Sequence, residues 1–191
     1  MPNIRKMILT TLLLAAAFHA NAETMVITQT EFYNTLEAAK SAYLGKDYST
    51  AALQYTKAAK WGHKHSQYVL GMMHKAGLGT AKDPVTAYAW LATAAENHNK
   101  DYRRDARDVL KTLSDANEDT AKALTSELKS RYGMKATGVR CKRDGRTGSN
   151  IKTVVCHQTN VLANGDYIVP VYPSDSLATT TKSSSSDKSG T

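Results

Sequence analysis

A shift of 36 residues lays the chain onto itself: Lys46-Asp47 falls on Lys82-Asp83, Thr50-Ala51 on Thr86-Ala87, and Ala58-Ala59 on Ala94-Ala95, six identities within 14 positions. Self-similarity at this period is the mark of stacked helical hairpins, in which no unit buries its apolar face alone. The apolar spacing agrees. Ala51, Tyr55, Ala58 and Ala59 fall at i, i+4, i+7 and i+8, and so do Ala87, Leu91, Ala94 and Ala95. Each set is one helical stripe, and its methyl-sized side chains let a neighbouring helix approach closely. Val69, Met72, Met73 and Ala76 form a second stripe between them. At that spacing the methionines read as core filler rather than a metal or haem site.

Start and stop signals predict helices over 48–61, 65–76 and 84–97. Asp47 and Asp83 are placed to cap two of them, and Pro84 stands where a missing amide hydrogen costs nothing. Gly62, Gly77 and Gly79 suit left-handed turn positions. "GLGTAK" lacks a third glycine or a Gly-Lys-Ser/Thr ending and follows an amphipathic helix, so it is a hinge and not a nucleotide loop. Flanking helices are predicted on both sides. One starts at a Thr28-x-x-Glu31 capping box with a Phe32, Leu36, Ala39, Tyr43 stripe. The other starts at Asp115-x-x-Glu118, with Ala121, Leu124 and Leu128 on one side.

The stretch "AALQYTKAAKWGHKHSQYVLGMMHKAGLGTAKDPVTAYAWLATAA" resembles the Sel-one-like repeat (SLR), a relative of the tetratricopeptide repeat. The matching residues are Ala51, Ala58-Ala59, Leu70-Gly71, Gly77-Leu78-Gly79, Asp83, Ala87, Trp90 and Ala94-Ala95. The likeness covers about residues 46 to 110. It implies a short α-solenoid of helix-turn-helix units that serves as a protein-interaction scaffold. After Ala95, "ENHNKDYRRDARDVLKTL" lacks Leu-Gly and Gly-x-Gly, so the second repeat is degenerate and the flanking helices are expected to cap the array.

At the N-terminus Arg5 and Lys6 precede the 12-residue apolar run Met7 to Phe18, which ends in Ala20-Asn21-Ala22. This is the layout of a cleavable signal peptide, with cleavage after Ala22. The run is too short for a membrane span, which needs about 20 residues. The predicted organisation is therefore a signal peptide (1–22), a helical domain with capping helices (23–132), a basic cysteine-containing appendage (133–172) and a disordered Ser/Thr/Lys tail (173–191). Export to the periplasm or beyond is expected.

Charge separates these parts. Residues 23–130 hold 14 basic and 13 acidic groups, whereas 131–157 hold seven basic residues against Asp144 alone. Any attraction for a polyanion is thus assigned to the C-terminal region, with Arg140, Lys142, Arg143, Arg146 and Lys152 as candidate anion-binding residues. Its short β-branched runs, broken by Asp144-Gly145 and Thr147-Gly148-Ser149-Asn150, predict a hairpin or looped clasp. In an oxidising compartment Cys141 and Cys156 are expected to pair, closing a loop that contributes about 3 kcal/mol in the chain-entropy model. "NVLANGDYIVPVY" predicts an edge strand.

No catalytic, cofactor or metal site is expected. His63 and His65 are two apart, which sends them to different helix faces, and no HExxH pair occurs. The function expected is a periplasmic or secreted adaptor for an unidentified envelope protein, not membrane-spanning and not binding nucleic acid. Two alternatives stand beside it: a binder of an anionic envelope component through the basic clasp, and a hydrolase or β-lactam-binding SLR protein. Trp61, beside a helix end, is expected to be the more exposed of the two tryptophans, and tyrosines or Trp90 are candidate groove anchors.

Overall fold

A computed structural model describes residues 22–145 and 152–176. The expected signal peptide apart from Ala22, Arg146, and the tail beyond residue 176 lie outside the described residues. Strand β1 (Glu23–Ile27) leads into α1 (Gln29–Leu44), whose cap Thr28 accepts a hydrogen bond from the Glu31 amide at 3.0 Å, as the capping box predicts. Helices α2 (Tyr48–Lys60), α3 (Lys64–Ala76) and α4 (Pro84–Ala94) follow, and a 3-10 turn, Ala95–Asn97, extends α4. Asp47 caps α2, and Asp83 caps α4 by accepting from the Val85 and Thr86 amides at 2.9 and 3.2 Å. Then come α5 (Lys100–Leu110), α6 (Asp115–Tyr132), the single turn α7 (Met134–Thr137), the strands β2 (Val139–Gly145), β3 (Lys152–Gln158) and β4 (Tyr167–Val171), and the turn α8 (Pro173–Ser176).

The alanine stripes fill the interfaces they predict. Ala51, Ala58, Ala59, Ala87 and Ala94 are fully buried, while Ala95 is half-buried. The main core gathers Ala39 of α1, Ala51, Ala52, Tyr55 and Ala59 of α2, Leu70 and Met73 of α3, and Ala89 and Trp90 of α4; Leu128 and Tyr132 of α6 and Tyr172 complete it. A second cluster joins Ala87 and Leu91 of α4 to Ala106 and Val109 of α5.

Gly71 explains the Leu-Gly pair. A methyl group built there would stand 2.7 Å from Leu91 Cγ and 3.1 Å from the Ala87 carbonyl oxygen, so α3 and α4 touch across a position without a side chain. At an exposed helical site Gly→Ala gains roughly 1 kcal/mol in propensity. At Gly71 overpacking outweighs that gain, and Gly71→Ala is expected to lose about 1 kcal/mol. Urea unfolding would read the sign, and a stabilised variant would contradict the close packing. Gly77 and Gly79 both hold left-handed backbone, φ 74° and 67°, and a side chain on Gly79 would run into the backbone of Tyr48 at the start of α2.

Several expectations are corrected. The α3 stripe is rotated from the one read in sequence: Ala76 is exposed, and Lys64, Ser66, Gln67, Leu70, Gly71 and Met73 are the buried positions. The helix begins at Lys64 with His63 as its cap, because the His63 ring accepts from the Ser66 amide. Helix α6 starts at Asp115 as expected, but its cap position is Ser114, which makes no side-chain cap. Trp61 is only 4% exposed, against 6% for Trp90. It is covered because β1 pairs antiparallel with β4, Met25 opposite Val169 and Ile27 opposite Tyr167, laying Ile27, Phe32 and Val169 on it.

That pairing also changes the place of residues 133–172. They are not set apart from the helices, since β4 closes a two-stranded sheet with the N-terminal strand and Val169 is fully buried. The segment expected to be tail from residue 173 begins instead with an anchored turn. Asp175 Oδ1 accepts from Lys60 at 2.8 Å, Arg131 at 3.2 Å and the Tyr132 hydroxyl at 2.6 Å, which compensates in charge for what the segment lacks in apolar surface.

Candidate functional site

Helix α5 sorts its charges by angle. Lys100, Arg103 and Arg107 fall within about 60° of one another around the axis, whereas Asp101, Asp105 and Asp108 lie on the far side. The acids are engaged there: Asp101 and Asp105 pair with Arg104 at 2.7 and 3.3 Å, and Asp108 with Lys111 at 3.1 Å. Lys100, Arg103 and Arg107 make no ion pair with any described residue and instead line a cleft of about 600 Å³ between α4, α5 and α6. Lys129 of α6 joins them, over a floor of Tyr88, Ala92, Ala95 and Ala106.

The only acid in the cleft wall among the described residues is turned inward. Glu96 Oε2 accepts from Lys64 Nζ at 2.9 Å and from the Met134 amide at 2.9 Å. Lys64 is 2% exposed and also donates to Gln67 and to the Thr93 carbonyl. Burial pulls its ammonium below the ordinary lysine range, opposed by Glu96 and aided by the positive charge of Lys129. Gln67, fully buried, donates to the carbonyls of Ala59 and Tyr132 at 2.9 and 2.8 Å, tying the ends of α2 and α6 to α3. Among the described residues the cleft's four cations therefore have no neutralising partner of their own.

The β2–β3 hairpin adds to this surface. Its register sets Cys141 opposite Cys156, where the disulfide forms, and Arg143 opposite Val154. Side chains alternate, so Cys141, Arg143 and Lys152 share one face while Arg140 and Lys142 share the other. The proposed anion-binding set is thus divided. Arg143 and Lys152 line a second cleft of about 550 Å³ with Lys100 and Asp101 at the start of α5, and Arg143 donates to the His98 carbonyl at 3.3 Å. Lys142 faces away, 3.6 Å from Asp144. Arg140, opposite His157, is exposed.

A smaller apolar cleft, about 410 Å³, opens between the start of α1 and the hairpin. Phe32, Tyr33, Leu36, Val139 and Tyr167 line it, with His63 and the disulfide's Cys156 at its wall. Tyr33 is 56% exposed and is the tyrosine in this cleft with the surface to act as an anchor. His63 is held down to about 4, chiefly by burial and secondarily by the charge of His65. His65 is lowered by burial too, and its ring meets the Tyr102 hydroxyl at 3.1 Å beside the stacked pair Tyr68–Tyr102. The phenol of Tyr68, donating to Asp105, is pushed up to about 12 by burial and that carboxylate. Among the described residues no group of three or more His, Cys, Asp or Glu side chains is placed to hold a metal ion.

No protein-family model matches the sequence, and no curated protein is detectably similar to it. Among solved structures the chain is similar to a protective antigen present in uropathogenic Escherichia coli strains, whose crystal structure displays an SLR fold. The TM-score is 0.52 with 26% sequence identity over 63% of this chain. The helical stack is SLR-like in fold. The chain spans 28% of the length of that larger protein. In the SLR-like stack Leu70 and Trp90 are core, Gly71 marks the close helix contact, and Gly77, Gly79 and Asp83 shape the joint into α4. Of the repeat residues Ala95 alone, among the described residues, lines the basic cleft.

The near balance of charge over residues 23–130 conceals the cleft, which emerges only when the charges of α5 are resolved by angle. The i, i+3, i+7 spacing of Lys100, Arg103 and Arg107 carried the signal. Lys64 and Gln67 could not be found that way, since nothing local distinguishes a buried lysine from a solvated one.

Proposed function

We propose that this protein is an exported, non-catalytic adaptor that holds a protein partner in the cell envelope on the surface of its SLR-like helical stack. The observation that carries the reading is the cleft between α4, α5 and α6, apolar in part and lined by cations without an ion pair among the described residues, on a fold similar to a solved structure that displays an SLR fold. Export is supported by the signal-like N-terminus and by the Cys141–Cys156 disulfide, which persists in oxidising compartments. Among the described residues no helix is long and apolar enough to cross a membrane.

Crosslinking of the mature chain in the intact envelope, followed by affinity capture, tests the proposal. A reproducible protein adduct is expected. Recovery of no protein adduct, together with salt-sensitive retention on envelope polysaccharide, would overturn it in favour of an anionic-surface binder.

A further inference from the structure

We infer that the cleft between α4, α5 and α6 is the docking site for an extended acidic segment of the partner protein, an assignment that rests on the adaptor reading and sharpens it. Like charges gathered without counter-charge repel one another, so an unoccupied cleft of this kind favours an anionic occupant. Lys100, Arg103, Arg107 and Lys129 converge there with no ion pair among the described residues, and the adjacent Glu96 is committed to Lys64 and the Met134 amide.

The shape argues for a chain segment over a compact anion. Lys100 lines both the α4–α5–α6 cleft and the neighbouring one that carries Arg143 and Lys152, so the basic track continues from α6 to the hairpin. From Lys100 to Arg107 alone the helix rises about 10 Å, the length of about three extended residues. The single acid along the second cleft among the described residues, Asp101, is paired with Arg104. The floor argues for protein over lipid or glycan. Methyl groups of Ala92, Ala95 and Ala106 beside Tyr88 offer apolar contact at the bottom of a recess, which suits an aliphatic side chain between carboxylates.

The test uses the full mature chain and a labelled synthetic peptide of about ten residues, alternating acidic with alanine and leucine positions, long enough to span both clefts. Its control has lysine in place of each acid. The acidic peptide is expected to bind and the control not to. Binding should weaken steeply with added salt and fall about tenfold or more in the Arg103→Glu, Arg107→Glu double variant. Both arginines are exposed and unpaired, so the thermal unfolding of that variant should match the parent; Arg103→Ala, Arg107→Ala provides a milder second variant if it does not.

Failure of the acidic peptide to bind, or equal binding by the variants, overturns the assignment. So does tighter binding of phosphatidylglycerol vesicles or of an anionic polysaccharide through the same arginines. The two readings fail separately. If the double variant still captures the same envelope protein, the docking site is wrong and the adaptor reading stands. If the parent binds the peptide yet crosslinks to no envelope protein, the adaptor reading falls and the site stands.

Discussion

Glu96→Ala is expected to lower stability by about 3 kcal/mol, the lower end of the range for breaking a buried ion pair because Glu96 retains some contact with water. The loss comes mainly from what is left behind. Lys64, 2% exposed, would keep the Gln67 and Thr93 oxygens but lose the only counter-charge that holds it inside, and the Met134 amide would lose its acceptor. The same reasoning fixes a second variant. Lys64→Met removes the buried charge with a side chain of similar length, so adding it to Glu96→Ala should recover part of the stability. Urea unfolding of the two single variants and the double gives the coupling. If the double variant is as unstable as the sum of the singles, the pair does not act as the clasp between α3, α4 and the start of α7.

Acid should weaken the fold through His63 well before the carboxylates titrate fully. The His63 ring nitrogen that accepts the Ser66 amide at 3.3 Å also sits 2.7 Å from the Ser66 hydroxyl, so the neutral ring serves as the cap and a proton on that nitrogen would end it. Burial holds its folded value at about 4, below the ordinary 6.5. The unfolded chain therefore binds more protons between those values. Stability from this group is complete above pH 6.5 and is lost as pH falls through 4, at most about 3 kcal/mol from one residue. His63→Asn retains a capping acceptor and cannot titrate, so its stability should fall less steeply across that window. Identical slopes for parent and variant would show that His63 carries none of the acid sensitivity. His65, lowered in the same direction, would account for a residual slope.

Both predictions concern residues whose importance the linear sequence hides. Asp47, Asp83, Gly77 and Gly79 were legible because capping and left-handed turns are local: each depends on three or four neighbours and the backbone angle between them. The alanine stripes were legible for the same reason, since a period of 3.6 puts Ala51, Ala58 and Ala59 on one face whatever packs there. On α3 that logic slipped. Val69, Met72 and Ala76 are apolar and look like a face, but the helix buries Gln67 and Lys64 instead, because the carbonyl ends of α2 and α6 and the Glu96 carboxylate satisfy them. Trp61 was misjudged because the strands that cover it come from opposite ends of the described chain.

The sequence by itself determined the repeat, its hinges and caps and the mainly helical class, since each of these follows from chemistry within a few residues or from one fixed period. Only the tertiary structure decided that β1 closes on β4, that Asp175 anchors the turn after Tyr172, and that the cations of α5 meet Lys129 and the hairpin's Arg143 and Lys152 along one track. Those are contacts between residues tens of positions apart. Their energy depends on burial and on which charges find partners, and neither quantity exists until the chain has folded.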